Sequence, residues 1–397
     1  MKSKLFYILF TLWSTNLLAQ NELFCNRNVT VGAENVSEYL NDLADKEVAV
    51  VGNQSSLVSD VHIVDTLLRL NVNVVKVFSP EHGFRGKADA GEKVKSGVDA
   101  KTGLPIVSLY GSNKKPKPEQ LKGINVMLFD IQDVGARFYT YISTLHYVME
   151  ACAENGIKLI VLDRPNPNGH YVDGPVLDLK YKSFVGMHQV PVVHGMTIGE
   201  YAQMINGETW LKNGVKCDLK VIKIKGWDHS KFYKLPIKPS PNLPNMLSVY
   251  LYPSLCFFEG TVVSVGRGTK SPFQIVGHPN FTETTFSFTP KPTDGAKHPK
   301  LENQKCFGID FTKMGLNVIQ KQNQIHLSWL IQFYKSLNLG QQFFLKNNFI
   351  NLLAGSNQLQ NQIIAGKSEA EIRASWKESL DKFKVIRKKY LLYKDFE

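Results

Sequence analysis

The sequence predicts an α/β protein, a Rossmann-like, mostly parallel sheet joined to a second, smaller α+β subdomain. Three observations predict it. Short apolar runs alternate with helical patterns through the N-terminal part, as strands do in a parallel sheet covered on both faces. A polar cluster stands at the end of each run, where such sheets carry their sites. From about Trp227 the texture changes to proline-rich sequence and then to helix.

Each element follows from its residues. Lys2 and Lys4 precede an apolar run, Leu5 to Trp13, and Leu17-Leu18-Ala19 follows, the pattern of a secretory leader cleaved after Ala19. An uncleaved anchor is the alternative, but that run is too short for a bilayer core of about 30 Å. Glu22-Leu23-Phe24 before Cys25 lacks the small residues of a lipidation site. No later stretch is long and apolar enough to span a membrane, so an exported protein, periplasmic or extracellular, is expected. Residues 20–226 then form the Rossmann-like subdomain and 227–397 the α+β one. Strands are expected at 47–52, 72–78, 105–110, 124–130 and 157–163, with helices around Val61–Leu70 and Phe138–Glu154. The first turn, V-G-N-Q-S-S, lacks the G-x-G-x-x-G spacing of a dinucleotide site, and no P-loop is present. Five prolines in 235–253 predict an extended crossing rather than a helix. FFEGTVVSVGRGT (257–269) reads as strand. Ser368 and Glu371 form a capping box opening a helix with the apolar stripe Ile372, Trp376, Leu380, Phe383, Ile386 and Tyr390.

Composition narrows the partners. At 43% hydrophobic and 21% charged residues, the 397-residue chain has ample core for two domains. A formal net charge of +12 favours acidic partners: nucleic acid, anionic lipid or anionic glycan. Export makes nucleic acid the least suitable of the three, and solubility alone is the plain alternative. Five scattered cysteines without a C-x-x-C pair exclude a disulfide framework. Oligomeric state is not readable.

The chemistry concentrates in three clusters. In VVKVFSPEHGFRGKADAGE (74–92) a strand runs into a loop bearing Glu81, His82, Arg85 and Glu92. Paired carboxylates flanking a bond are what glycoside hydrolysis needs, one as proton donor and one as base, nucleophile or electrostatic support. The plain alternative is a surface pair of Glu81 with Arg85. FDIQDVGARFYTY (129–141) carries Asp130, Asp133, Arg137, Tyr139 and Tyr141, with Arg137 suited to a substrate carboxylate and the tyrosines to a sugar face. Asp133 also suits a helix cap. LDRPNPNGH (162–170) adds Asp163, Arg164 and Asn166. SVGRGTKSPF (264–273) offers Arg267 on a glycine loop as the other wall of a cleft, with Glu259 just upstream. A metal reading would gather His82, Asp130, Asp133, Asp163 and His194, which lack ligand spacing. A Ser-His-Asp reading lacks a G-x-S-x-G elbow.

The motifs SPEHGFRG, DAGE, TGLPIVSLYG, LFDIQDVGARFYTYISTL, LDRPNPNGHYVDGP, PVVHGMTIGEYA, PSPNLPN and EGTVVSVGRGT, in order from about residue 35 to 395, resemble the NamZ-type exo-β-N-acetylmuramidases. The resemblance implies a cleft between a Rossmann-like and a second subdomain. It implies release of N-acetylmuramic acid (MurNAc) from non-reducing ends of peptidoglycan fragments, MurNAc-GlcNAc saccharides or muropeptides, without metal or nucleotide. The active site would rest on glutamates of the 81–92 region, Glu81 being first choice as acid and Glu92 the second carboxylate. Asp130 and Asp163 are substitutes, and the substrate's own 2-acetamido group is an alternative nucleophile. The lactyl carboxylate of muramic acid would give Arg85, Arg137, Arg164 or Arg267 something to hold. A non-catalytic exported glycan-binding protein and a metal-dependent hydrolase of another bond are the competing classes.

Overall fold

The computed structural model describes residues 24–81, 83–85 and 97–397, so the leader and the candidates His82 and Glu92 lie outside the described residues. The strands in chain order are β1 (Val48–Gly52), β2 (Leu57–Val58), β3 (Val61–His62), β4 (Val74–Ser79), β5 (Gly97–Val98) and β6 (Pro105–Ser108). There follow β7 (Val126–Asp130), β8 (Lys158–Leu162), β9 (Leu219–Ile222), β10 (Ile275–His278), β11 (Ser287–Phe288) and β12 (Cys306–Asp310). Seven of them form the main sheet in the order β5-β6-β4-β1-β7-β8-β9. Every neighbouring pair in it is parallel except β5 with β6. β1 and β7 are buried at every position, which explains why both are unbroken apolar runs rather than alternating ones.

The connections create the crevice. From β1 the chain steps outward through β4 to β6, then crosses back to lay β7 on the other side of β1. Gly52 pairs with Asp130 across that switch point, beyond which the loops part and leave room for a ligand. The helix Tyr141–Asn155 covers the sheet after β7 and stops at Gly156, whose φ of 64° is the left-handed conformation a helix terminus favours in glycine.

The proline-rich crossing holds a finding against expectation: Met246–Leu255 is an α-helix. Asn245 caps it by accepting from the Ser248 N–H, and Pro253 sits inside it. A proline there removes the N–H that would bond the carbonyl of Val249. The Asn168 side-chain amide donates to that carbonyl instead, at 3.2 Å, so the helix tolerates the proline. The run 257–269 is likewise no strand. It is a 3₁₀ turn, Cys256–Gly260, followed by single bridges from Thr261 to Phe344 and Ser264 to Gly277. The Lys300 ammonium explains this, because it gathers the carbonyls of Phe258, Glu259, Thr261 and Val263 at 3.1, 3.4, 2.5 and 3.1 Å. A backbone wrapped round a cation cannot lie flat in a ladder. β10, β12 and β11 form a small antiparallel sheet beyond it, and helices complete the chain. The capping box at Ser368 forms as expected, but the helix it opens ends at Ala374 and a second helix, Lys377–Lys388, carries the stripe onward.

One hydrophobic core runs through both parts, from Val31 to Phe383. The C-terminal tail returns to the first part. Tyr393 donates to Asp163 at 2.6 Å, the Leu392 N–H to Glu200, and Arg387 to the carbonyl of Gly195. Among the described residues no helix is long and apolar enough to cross a membrane.

Candidate active site

A cavity of about 710 Å³ opens at the C-terminal ends of β4, β6 and β7. Its lining takes Glu81, Tyr110, Tyr139, Thr140 and Tyr141 from the first part of the chain and Asn242, Tyr252, Glu259, Arg267, Lys297 and Lys300 from the second.

Glu81 follows β4 on a turn closed by the Gly83 N–H on the Pro80 carbonyl, with Gly83 at φ 77°. Its carboxylate accepts from the Thr140 hydroxyl at 3.1 Å and is bonded to the Tyr110 hydroxyl. Burial, and then the nearby Glu81 carboxylate, push the Tyr110 phenol up, which keeps it a donor. Tyr139 and Tyr141 meet edge to face, 4.8 Å between ring centres. Their hydroxyls are anchored, Tyr139 donating to the Pro239 carbonyl at 2.9 Å and Tyr141 accepting from Asn53 at 2.8 Å. The rings thus form a fixed aromatic wall.

The part of the lining that carries Arg267 is built on Gly266-Arg267-Gly268, both glycines at positive φ (76° and 79°). A Cβ on Gly268 would lie 2.5 Å from the Lys291 carbonyl oxygen, so only glycine fits. Arg267 Nε donates to Glu259 at 3.2 and 3.3 Å, and its guanidinium carbon lies 4.9 Å from the centre of the Phe273 ring. Burial opposes ionisation of Glu259, but Arg267 and then Lys300 outweigh it and hold the carboxyl below its ordinary range.

The other sequence candidates lie elsewhere. Arg85 pairs with Asp99 through Nε at 3.1 Å and Nη2 at 2.7 Å, and not with Glu81, so the surface-pair alternative does not form. Arg137, expected to hold a substrate carboxylate, is fully buried away from the cavity. Its Nη1 donates to the carbonyls of Pro175 and Val190 and its Nη2 to that of Leu353, at 2.7–2.8 Å. Arg164 forms a buried two-pronged pair with Asp130 at 2.6 and 2.9 Å. Asp163 is enclosed by Thr197, Gly199 and Tyr393, and burial raises its carboxyl to about 7. Asn166 donates to the Met196 carbonyl and accepts from the Asn168 N–H. Asp133 caps no helix; it accepts from the Gly135 N–H two residues on. None of these seven lines the cavity, whereas Glu81, Tyr139 and Arg267 do. Among the described residues no group of three His, Cys, Asp or Glu side chains is placed to hold a metal ion.

Sequence reasoning passed over Tyr110 and Thr140 as partners of Glu81, and Lys297, His298 and Lys300 as part of the wall. The Lys-His-Pro-Lys run at 297–300 was the available signal, since a basic cluster inside a proline-fixed loop points to a held surface.

Known proteins place the chain. Family models described as the N-terminal and C-terminal parts of exo-beta-N-acetylmuramidase NamZ match residues 48–247 and 250–393. The peptidoglycan beta-N-acetylmuramidase NamZ of Bacillus subtilis is 38% identical over 390 residues, covering 90% of this chain and 89% of that protein. Two crystal structures of DUF1343-family proteins from Bacteroides fragilis superpose at TM-scores of 0.86 and 0.78, with 48% and 31% identity. They cover 93% and 92% of this chain, and 99% of each of those chains is matched. Sequence motifs, family models and fold agree, and the chain belongs to the exo-beta-N-acetylmuramidase NamZ family.

Proposed function

We propose that the protein is an exo-acting glycoside hydrolase that releases MurNAc from the non-reducing ends of peptidoglycan-derived MurNAc-GlcNAc saccharides. It serves cell-wall turnover on the exported side, a placement supported by the leader pattern at residues 1–19. The observation that carries the activity is Glu81, delivered by β4 to the cavity wall and held there by two hydroxyls. Glu81 protonates the leaving glycosidic oxygen. Glu92 supplies the second carboxylate as base or nucleophile, or orients the 2-acetamido group of the substrate. Tyr139 and Tyr141 give the cavity an apolar side for a sugar ring.

The test is MurNAc release from MurNAc-β-1,4-GlcNAc by wild type and by Glu81→Gln. Wild type is expected to release free MurNAc, and the variant to lose about 10³-fold in kcat while binding the disaccharide nearly as well. Binding without release by wild type would instead identify a glycan-binding protein that keeps the fold. Full turnover by Glu81→Gln would move the acid role to another carboxylate.

A further inference from the structure

We propose that Arg267 is the specificity-determining residue of this cavity, taking the lactyl carboxylate that distinguishes muramic acid from N-acetylglucosamine. The inference rests on the muramidase reading and adds to it the residue that selects the sugar.

Four arginines were candidates for a carboxylate, and geometry separates them. Arg85 spends its fork on Asp99, Arg164 spends its fork on Asp130, and Arg137 is sealed among three carbonyls. Arg267 alone of the four lines the cavity. Its side chain keeps 23% exposure, and only Nε is engaged, by Glu259. Nη1 is buried with no partner among the described residues. The unpartnered Nη1 shows that Glu259 does not use the whole fork, and the exposed part of the guanidinium is left to meet a ligand carboxylate with charge-assisted bonds.

The surroundings hold this guanidinium in readiness. Gly266 and Gly268 fix the loop, Phe273 backs one face, and Glu259 fixes the Nε side. Glu259 does not cancel the positive charge here, because Lys300 faces it as well as Arg267. Lys300 itself is committed to four carbonyls, so it contributes field rather than a contact. Glu81 lines the same cavity. The cavity therefore offers both a carboxylate for the bond and a cationic group of its own, which fits a sugar bearing one carboxylate. N-acetylglucosamine has a hydroxyl at that position and would leave the guanidinium unfilled.

The experiment measures calorimetric binding of MurNAc and of its neutral lactyl methyl ester to wild type, Arg267→Lys and Arg267→Met. Release of MurNAc from MurNAc-β-1,4-GlcNAc is assayed in parallel. Wild type should bind MurNAc about 100-fold more tightly than the ester, and Arg267→Met should lose that preference. Arg267→Lys keeps a cation beside Glu259, which protects folding, yet should lose most of the preference because an ammonium lacks the planar fork. Discrimination of less than about threefold by wild type, or a preference that survives in a folded Arg267→Met or Arg267→Lys, overturns the assignment. No MurNAc release by wild type, with discrimination intact, would overturn the muramidase reading and leave Arg267 as a carboxylate site. That outcome separates the two failures.

Discussion

Glu81 owes its place to groups that arrive from two other loops, Tyr110 after β6 and Thr140 after β7. Holding a reacting carboxylate by two hydroxyls from separate strand ends restricts it to one geometry, and near-attack geometry is where much of an enzyme's advantage originates. Tyr110→Phe keeps the ring and removes one hold. It is expected to lower kcat about tenfold, leave KM within about twofold and leave the melting temperature unchanged, as steady-state kinetics and thermal unfolding would report. A loss confined to KM would mean that Tyr110 contacts substrate rather than positions Glu81. The glutamate itself was legible, since a Pro-Glu-His-Gly turn after a buried strand announces a displayed carboxylate. Its partners were not, because Thr140 stands 59 residues away in the chain and nothing in its local pattern marks it as a donor. Arg137 misled for the converse reason. An arginine in a polar cluster looks the same in sequence whether its fork meets a ligand or three backbone carbonyls.

Elements were legible to the degree that their burial was uniform. β1, β7 and β8 are short apolar runs because both faces of the sheet are covered, and a sequence reader needs no more than that. The helix Met246–Leu255 and the wrapped segment after it escaped detection because distant side chains decide them. Asn168 repairs the proline and Lys300 gathers the carbonyls, and neither lies within the element it shapes. Arg137 does similar work between elements, joining the loops that hold Pro175 and Val190 to the helix Phe349–Ala354 through Leu353. Arg137→Met should therefore cost about 3–5 kcal/mol of stability by removing the donor shared by three carbonyls, of which that of Val190 keeps only the Leu177 N–H, with a modest effect on KM. Urea unfolding followed by fluorescence measures the first quantity and disaccharide kinetics the second. A stable variant with a severe KM defect would return Arg137 to the substrate.

At the scale of the whole molecule, the single core and the returning tail make the two parts one unfolding unit, so buried titratable groups in either part bear on its stability. Burial lowers the imidazoles of His62, His146 and His170 to about 4 and that of His194 to about 3, and holds His188 well below its ordinary value. These folded-state histidines refuse the proton that the unfolded chain accepts near pH 6.5. Their contribution is fully present above that pH and is lost as pH falls toward 4. Asp133 and Asp163 work in the opposite sense. Burial raises both to about 7, so on acidification from 7 toward 4 the folded state takes up protons that the unfolded chain still releases, and stability is gained. Five histidines outweigh two carboxyls. Lowering the pH from 7.5 to 5.5 should then cost on the order of 3 kcal/mol, read as a fall in the urea midpoint. Asp133→Asn removes one opposing contribution and should steepen the fall. A midpoint that rises between those pH values would mean that the buried carboxyls, and not the histidines, govern the acid limb.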